Sequence, residues 1–239
     1  MSLDFPDKAS ARQHVWDRLK AEKLAAFPFP PHGRIPNFKG AAEAARRLFD
    51  LPLWRDARRI KVNPDSPQAH VRAEALRRGI VVYVPTPKLA GGFKRLDPAS
   101  IPADAAFEAA KRSNWDRWAD EVPLDDLPQM DAIVAGSVAV TPDGRRAGKG
   151  AGYSDLEFAI LMELGHEPVP VATTVHEVQV VDSFPVEPID QPLAAIATPK
   201  RAFETSSTLP PPRGIYWERL TEADLAAMPV VRELARRRK

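Results

Sequence analysis

Short apolar runs rich in β-branched residues alternate along the chain with segments whose apolar residues have helical spacing. The clearest run covers residues 80–85, and its continuous apolar character predicts a strand buried on both faces. It follows a helix-like segment, 67–78, that ends at Gly79, a residue typical of helix C-termini. The same patterns predict further strands over 57–62, 131–140, 168–175 and 193–198, a further apolar run over 178–181, and helices over 8–24, 41–49, 103–112, 156–164 and from about 222.

This repeated alternation of strand and helix predicts an open, mostly parallel α/β sheet. Two stretches interrupt it. Residues 27–40 are rich in proline and aromatic residues, which predicts an ordered surface loop, and residues 86–102 are predicted to be loop. We expect one α/β domain over 1–239, with an N-terminal helix and proline-rich loop over 1–40 and a C-terminal extension over about 209–239.

The composition narrows the possible functions. The 239 residues include 34 Lys and Arg against 32 Asp and Glu, so the net charge of +2 does not indicate a nucleic-acid partner. Because the chain has no cysteine, disulfides, thiolate metal sites and cysteine nucleophiles are excluded. The polar N-terminus is not typical of a signal peptide, and no apolar run approaches the roughly 20 residues that span a bilayer. We therefore expect a cytoplasmic protein without a membrane partner.

A basic, glycine-rich loop joins the strand predicted over 131–140 to the helix predicted over 156–164. Its glycines, Gly148, Gly150 and Gly152, permit backbone conformations that other residues resist and allow close approach of a ligand. The helix that follows offers unpaired N–H groups and the positive end of its dipole. This arrangement favours binding of phosphate, and it requires positive φ at one glycine or more.

Other interpretations of this loop are open from its pattern alone. It lacks the Gly-Lys-Ser/Thr spacing of a Walker A motif and the Gly-x-Gly-x-x-Gly of a dinucleotide fold. It could equally be a tight strand-to-helix turn with solvated charges. Asp155, at the start of the helix, could hold Mg²⁺ together with phosphate oxygens, or it could simply complement the helix dipole. In the first helix, Lys8 and Arg12 share a face, either as an anion site or as a solvated surface.

Several motifs together resemble the 5-formyltetrahydrofolate cyclo-ligase family. Residues 146–155 read Arg-Ala-Gly-Lys-Gly-Ala-Gly-Tyr-Ser-Asp, similar to the family's Arg-x-Gly-x-Gly-x-Gly-Tyr-Tyr-Asp loop. Lys8 and Arg12 match its N-terminal Lys-x-x-x-Arg, and Gln179, Pro185 and Asp190 resemble its late Gln…Pro…Asp segment. The segments 33–40, 63–68 and 175–182 look more like a divergent branch, in which some members have been connected with thiamine metabolism.

The resemblance implies a three-layer fold with helices on both faces of the sheet, and an ATP- and Mg²⁺-dependent enzyme that converts 5-formyltetrahydrofolate to 5,10-methenyltetrahydrofolate with release of ADP and phosphate. It implies small-molecule substrates, ATP and a formyl-folate, and the oligomeric state stays open. It assigns catalytic charge neutralisation to Arg146 and Lys149, and Mg²⁺ to Asp155 and Asp190. The substrate contacts that it implies are Asp65, Gln68 and Tyr153, and the ATP contacts are Lys8, Arg12, Arg146, Gly148, Lys149, Gly150, Ala151, Gly152, Tyr153 and Asp155.

Two residues depart from the family pattern on the substrate side. Counting back fourteen residues from Gly79 gives Asp65 where the family has glutamate, and Ser154 stands in place of the second loop tyrosine. Two alternatives to the cyclo-ligase therefore stay open: a related ATP-dependent enzyme that acts on another heterocycle, and a non-catalytic nucleotide- or folate-binding module.

Overall fold

The fold is built on an eight-stranded mixed sheet with a separate two-stranded ribbon. The computed structural model describes residues 2–86 and 89–238. Within them, the strands are β1 (Arg59–Val62), β2 (Val81–Pro85), β3 (Phe93–Leu96), β4 (Ala119–Val122), β5 (Ala132–Val134), β6 (Ala139–Val140), β7 (Arg146–Ala147), β8 (Val171–Thr174), β9 (Ala195–Ala197) and β10 (Ala202–Glu204). The helices are α1 (Lys8–Ala21), α2 (Ala41–Phe49), α3 (Gln68–Arg77), α4 (Ala106–Ala110), α5 (Trp115–Trp118), α6 (Tyr153–Glu163), α7 (Glu222–Ala227) and α8 (Pro229–Arg237).

The large sheet has the order β10-β9-β8-β5-β1-β2-β3-β4. Its five central strands, β9 to β2, run parallel, whereas β10 at one end and β3 and β4 at the other pair antiparallel. This confirms the prediction of a mostly parallel sheet. β5 lies beside β1, so the segments that follow these two strands meet at the same edge.

The side chains of each strand point alternately to the two faces of the sheet, so the core lies in two layers, one on each face. Val82 and Val84 of β2 pack with α2, α3 and α4 on one face, while Tyr83 belongs to the cluster formed with α6 and α8 on the other. This is the alternation that a pleated strand imposes. Helices therefore cover both faces of the sheet, which confirms the three-layer architecture.

Helix α1 packs outside these two layers, against the ribbon formed by β6 and β7. Asp7 caps its N-terminus by accepting a hydrogen bond from the amide of Ser10 at 2.7 Å. The helix buries Ala11, Val15 and Leu19 in a third cluster that includes residues of the ribbon. This packing brings the N-terminal turn of α1 beside the loop that follows β7.

Several predicted elements were wrong in extent. The strand predicted over 131–140 is divided into β5, which ends at Val134, and β6, Ala139–Val140. Between them the amide of Gly136 donates to the Oδ1 atom of Asn63 at 3.1 Å. The segment predicted as loop over 86–102 contains β3, and Pro87 and Lys88 of that segment lie outside the described residues. The apolar run over 178–181 begins within a single turn of 3-10 helix, Glu177–Gln179.

The C-terminal extension is helical, but as two short helices. Pro229 cannot continue α7 because it lacks an amide hydrogen, and it begins α8 instead. Helix α8 buries Val230, Val231 and Leu234 against the face of the sheet that α6 covers. Across residues 2–86 and 89–238, no helix combines the length and apolar character needed to cross a bilayer.

Candidate functional site

The glycine-rich loop runs from the end of β7 to the first turn of α6. Gly150 has φ of 102° and Gly152 has φ of 69°, which confirms the predicted positive φ. Gly152 is the N-cap of α6, and no side chain in the described part of the chain caps this helix end. The first amides of α6 are thus available to an anionic ligand.

Arg12 of α1 connects the N-terminal helix to this loop. Its Nε atom donates to the main-chain oxygen of Gly148 at 2.7 Å. A Cβ atom at Gly150 would lie 3.6 Å from the Cζ atom of Arg12, so the guanidinium lies close to the middle of the loop. Burial lowers the pKa of Arg12, and the charge of Arg146 lowers it further. Two guanidinium groups held this close favour an anion between or beside them.

Arg146 lies inside the protein, with only 2% of its surface exposed. It donates through Nη1 to the carbonyl of Gly136 at 3.0 Å and through Nη2 to the carboxylate of Asp155. The same carboxylate accepts from the amide of Gln191 at 3.2 Å. A buried guanidinium paired in this way keeps a fixed orientation, because its planar fork is constrained at two points.

The two predicted metal ligands each contact a basic side chain. Asp155 pairs with Arg146, while Asp190 pairs with Lys8 Nζ and accepts from the amide of Glu187 at 2.6 Å. Residues 2–86 and 89–238 contain no cluster of three or more histidine or carboxylate side chains that could hold a metal by themselves. Mg²⁺ is usually held by one or two carboxylates together with substrate phosphates, and this donor set fits that mode.

A cavity of about 790 Å³ lies beside the loop. The loop and the start of α6 form one wall, and the connection between β1 and α3 contributes Asn63 and Asp65. Phe27 and Phe107 also contribute aromatic surface. Eight predicted site residues line this cavity: Asp65, Arg146, Gly148, Lys149, Ala151, Gly152, Tyr153 and Asp155.

Other predicted residues do not line it. Lys8, Arg12 and Asp190 meet the loop or each other through the contacts described above, and Gly150 faces Arg12. Gln68 was predicted to contact the substrate, but its side chain is fully buried and donates to the Oγ1 atom of Thr174 at 3.5 Å. Because Gln68 opens α3 with its side chain directed into the core, it supports the cavity wall without reaching the cavity.

Asp65 faces the loop across the cavity. Its Oδ1 atom lies 3.9 Å from the Nζ atom of Lys149. Burial raises the pKa of Asp65, and the positive charges of Lys149 and Arg72 oppose that change. Arg72 lies beneath, fully buried, and donates to the carbonyls of Asn63 and Asp65 and to that of Ala110 at 2.8 Å. It therefore fixes the backbone that carries the Asp65 carboxylate.

A buried polar network that was not predicted from the sequence lies behind Ser154. The Ser154 hydroxyl donates to Asn63 Oδ1 at 3.0 Å and accepts from Gln191 Nε2 at 2.9 Å. Asn63 Nδ2 donates to Glu157 at 2.7 Å, and Glu157 also pairs with Lys61. Burial raises the pKa of Glu157, while Lys61 opposes this. A signal was present in the sequence, because charged residues at an inward position of a strand and on the apolar face of a helix require a partner.

Residues 6–199 match the 5-formyltetrahydrofolate cyclo-ligase family. The chain belongs to this family. The resemblance carried by the loop and by the first helix is thereby confirmed. The match ends before residue 200, so the C-terminal extension lies outside the family's shared region.

Within the cyclo-ligase family, this chain is similar along nearly its whole length to longer animal proteins. The methenyltetrahydrofolate synthase domain-containing protein of Mus musculus is 41% identical over 238 residues, and the one of Homo sapiens is 36% identical over 237. These alignments cover 97% and 96% of this chain but 64% and 62% of the two relatives. The 5-formyltetrahydrofolate cyclo-ligase of Escherichia coli (strain K12) is 33% identical over 78 residues, which is 33% of this chain and 41% of that protein.

A solved structure supports the cyclo-ligase fold. The NMR structure of Aquifex aeolicus 5,10-methenyltetrahydrofolate synthetase superposes with a TM-score of 0.51 at 16% sequence identity. The superposition covers 82% of this chain and 92% of that one. At this identity the likeness concerns the fold, and it agrees with the three-layer arrangement described above.

Proposed function

We propose that this chain is an ATP- and Mg²⁺-dependent cyclo-ligase that converts 5-formyltetrahydrofolate to 5,10-methenyltetrahydrofolate, with release of ADP and phosphate. One observation carries the proposal. The glycine-rich loop, with left-handed glycines and an uncapped helix end, forms a wall of a large cavity and is surrounded by basic side chains. Family membership and the names of the relatives support the same reaction.

The phosphates of ATP are placed by the loop and the basic residues around it. Main-chain amides from Gly148 to Tyr153 supply directional donors, and Arg12, Arg146 and Lys149 supply charge. These groups neutralise charge on the transferring phosphoryl group, which is most of what phosphoryl transfer requires of a protein. Arg146 is the best positioned for this role, because its pairing with Asp155 orients it before substrate binds.

The formyl-folate occupies the large cavity that the loop lines. Asp65 lines that cavity at the position where the family has a glutamate, and its carboxylate can accept hydrogen bonds from N–H groups of the pterin ring. Tyr153, which follows the last glycine of the loop, also lines this cavity. Binding both substrates against one loop brings the formyl oxygen and the terminal phosphate together, which lowers the entropic barrier to reaction.

The chemistry needs no protein nucleophile. The formyl oxygen attacks the terminal phosphorus of ATP and ADP leaves, which gives a phosphorylated imidate. The neighbouring ring nitrogen, N10, then attacks the activated carbon, the carbon–oxygen bond breaks, and inorganic phosphate leaves with the former formyl oxygen. N10 loses its proton as the methenyl bridge forms. Mg²⁺, held by Asp155 or Asp190 with phosphate oxygens, would withdraw charge from the phosphates when bound.

The substrate-side residues favour weak turnover of 5-formyltetrahydrofolate. Asp65 is one methylene shorter than glutamate, and Ser154 replaces an aromatic ring and is engaged in the network with Asn63. A lost stacking partner removes about 1–3 kcal/mol by analogy with bases stacked on aromatic side chains. This observation also supports a second candidate, the same ATP chemistry on another heterocycle.

The test measures the methenyl product by its absorbance, with and without ATP, together with ADP formation. We expect product only with ATP, and a reduced rate for Lys149→Ala, with Lys20→Ala on the exposed part of α1 as a matched control that keeps the parent rate. ADP release without methenyl product would favour the second candidate. Absence of ATP binding would contradict both candidates. The cytoplasmic location and the absence of a nucleic-acid partner stay predictions from the sequence.

A further inference from the structure

A second, smaller cavity lies on the other side of the glycine-rich loop. It has a volume of about 250 Å³ and lies between α6 and the C-terminal extension. Most of its lining is apolar, from Leu156 and Ala159 of α6, Ile189, and Ile215, Leu220 and Met228 of the extension. An apolar slot with a few polar groups at its margin is typical of a site for a flat organic ring.

The loop is the shared wall of the two cavities. Ala151, Gly152, Tyr153 and Asp155 line both of them. If the loop binds a chain of phosphates, the terminal phosphate must face the large cavity, where the acceptor lies. The opposite end of the nucleotide must then leave the loop on its other side, which is where the small cavity lies.

We propose that the small cavity binds the nucleoside of ATP and that the C-terminal extension forms much of its wall. This inference rests on the proposed function, because it takes the loop to be the phosphate site. It assigns a ligand to residues beyond the family match, which ends at residue 199. The ligand class is a purine nucleoside whose base enters the apolar slot beside Leu220 and whose ribose lies toward Tyr153.

The extension is held firmly enough to serve as such a wall. Glu163, the last residue of α6, accepts from the amide of Ile215 and from Trp217 Nε1, both at 3.3 Å. Tyr216 donates to the carbonyl of Pro188 at 3.1 Å, and Arg219 pairs with Glu187 at 2.6 Å. These contacts join the extension both to the end of α6 and to the segment that precedes Asp190.

The polar side chains around the slot are few. Arg219 and Asp224 line it together with Tyr216. Asp224 is already engaged, since it accepts from the amide and hydroxyl of Thr221 at 2.9 and 2.7 Å. The slot therefore contributes mainly apolar contact with the base, and the phosphates contribute the charge. Because different parts of the site bind the base and the phosphates, the contribution of the slot to ATP affinity can be measured separately from that of the loop.

The experiment compares ATP with inorganic tripolyphosphate, which carries the phosphates without a nucleoside. Binding of both probes is measured by calorimetry for the parent, for Leu220→Trp and for Ile189→Trp, each of which fills the slot from a different segment. Leu225→Trp is the matched control, because Leu225 lies on α7 and does not line the slot. Thermal unfolding of each variant establishes that it is folded.

We expect both slot variants to bind ATP at least tenfold more weakly and to bind tripolyphosphate as the parent does. The control should bind both probes as the parent does. Unchanged ATP affinity in both folded slot variants, or equal loss for ATP and tripolyphosphate, would overturn the assignment of the nucleoside while leaving the loop as the phosphate site. A parent that binds neither probe would overturn the proposed function itself, and this inference with it.

Discussion

The Nε atom of Arg12 donates to the main-chain oxygen of Gly148 at 2.7 Å. This hydrogen bond joins the first helix to the glycine-rich loop, two segments separated by 136 residues in sequence. It places the guanidinium of Arg12, near the N-terminus, beside a loop from the middle of the chain. The loop carbonyl orients the guanidinium before any phosphate is present, which reduces the entropy lost on binding.

Replacing Arg12 with alanine should weaken ATP binding without unfolding the protein. A hydrogen bond to a charged group contributes about 1.5–3 kcal/mol, so the dissociation constant should rise roughly 10- to 150-fold. Calorimetric titration with ATP provides the measurement. Arg18→Ala is the control, because Arg18 lies on the same helix and pairs only locally with Glu22 at 2.7 Å among the described residues. Equal ATP affinity in Arg12→Ala and the parent would remove Arg12 from the site.

The change Gly150→Val should abolish ATP binding. Gly150 has φ of 102°, a conformation that a β-branched residue resists, and its side chain would lie against Arg12. Gly165→Val is a matched control, because Gly165 also has positive φ, 83°, but lies just beyond the C-terminus of α6, at the opposite end of the helix from the loop. Both variants should lose some stability, on the order of 1–3 kcal/mol. If Gly150→Val unfolds earlier yet binds ATP like the parent, the loop is only a turn.

Asp155→Asn should reduce turnover more than nucleotide binding. The amide keeps the size of the side chain but removes the negative charge that pairs with Arg146 and that would hold Mg²⁺. We expect kcat to fall on the order of 10–100-fold, the usual range for changes around a bound metal, with a smaller change in the dissociation constant for ATP. Asp143→Asn, which breaks a similar pair with Arg145 at 2.9 Å, should leave kcat unchanged. A proportional loss of binding and turnover in Asp155→Asn would argue against a metal role.

We predict that the difference in stability between the Asp65→Asn variant and the parent depends on pH. Burial raises its pKa in the folded protein, so the native state holds this proton more tightly than the unfolded chain. Stability therefore falls as pH rises from the ordinary aspartate pKa of about 3.9 through the raised value. Asp65→Asn removes that cost, and its melting temperature should exceed the parent's at neutral pH and converge with it in acid.

A second variant checks the cause of this effect. Lys149→Ala removes the positive charge that lowers the pKa of Asp65, so the stability of this variant should fall more steeply with pH than that of the parent. Thermal unfolding measured from acid to neutral pH provides both curves. A melting-temperature difference between Asp65→Asn and the parent that is constant across this range would show that Asp65 titrates as an ordinary surface carboxylate.

The glycine-rich loop and α6 could be predicted because the residues that specify them are neighbours in the sequence. Three alternating glycines after an apolar run and before an apolar-periodic helix specify the strand, turn and helix in that order, and α6 begins at Tyr153, three residues before the predicted start at Leu156. Lys8 and Arg12 were identified by their spacing on one helix. Their contacts with Asp190 and Gly148 join segments distant in sequence, and a periodic pattern of apolar residues does not reveal contacts of this kind.

The remaining features of the fold and the site could not be predicted, because they depend on contacts between residues distant in sequence. β3 has two charged residues among four and is a strand because it pairs with β2 and β4. Gly136 looked like part of a strand, but β5 ends at Val134 and the amide of Gly136 donates to the distant Asn63 side chain. A Cβ atom at Gly136 would also lie 2.9 Å from the Asp65 carboxylate, a close approach that no local pattern indicates. The network of Lys61, Asn63 and Glu157 joins a strand to a helix about 95 residues away in sequence.

The most direct test of the central claim follows the formyl oxygen. The full chain is incubated with ATP and 5-formyltetrahydrofolate labelled with ¹⁸O in the formyl group, and the released phosphate is analysed by mass spectrometry. Phosphoryl transfer to the formyl oxygen predicts one ¹⁸O atom in each phosphate and an equal amount of methenyltetrahydrofolate. Phosphate that carries only unlabelled oxygen from solvent would show hydrolysis of ATP without activation of the formyl group, and would contradict the proposed cyclo-ligase reaction.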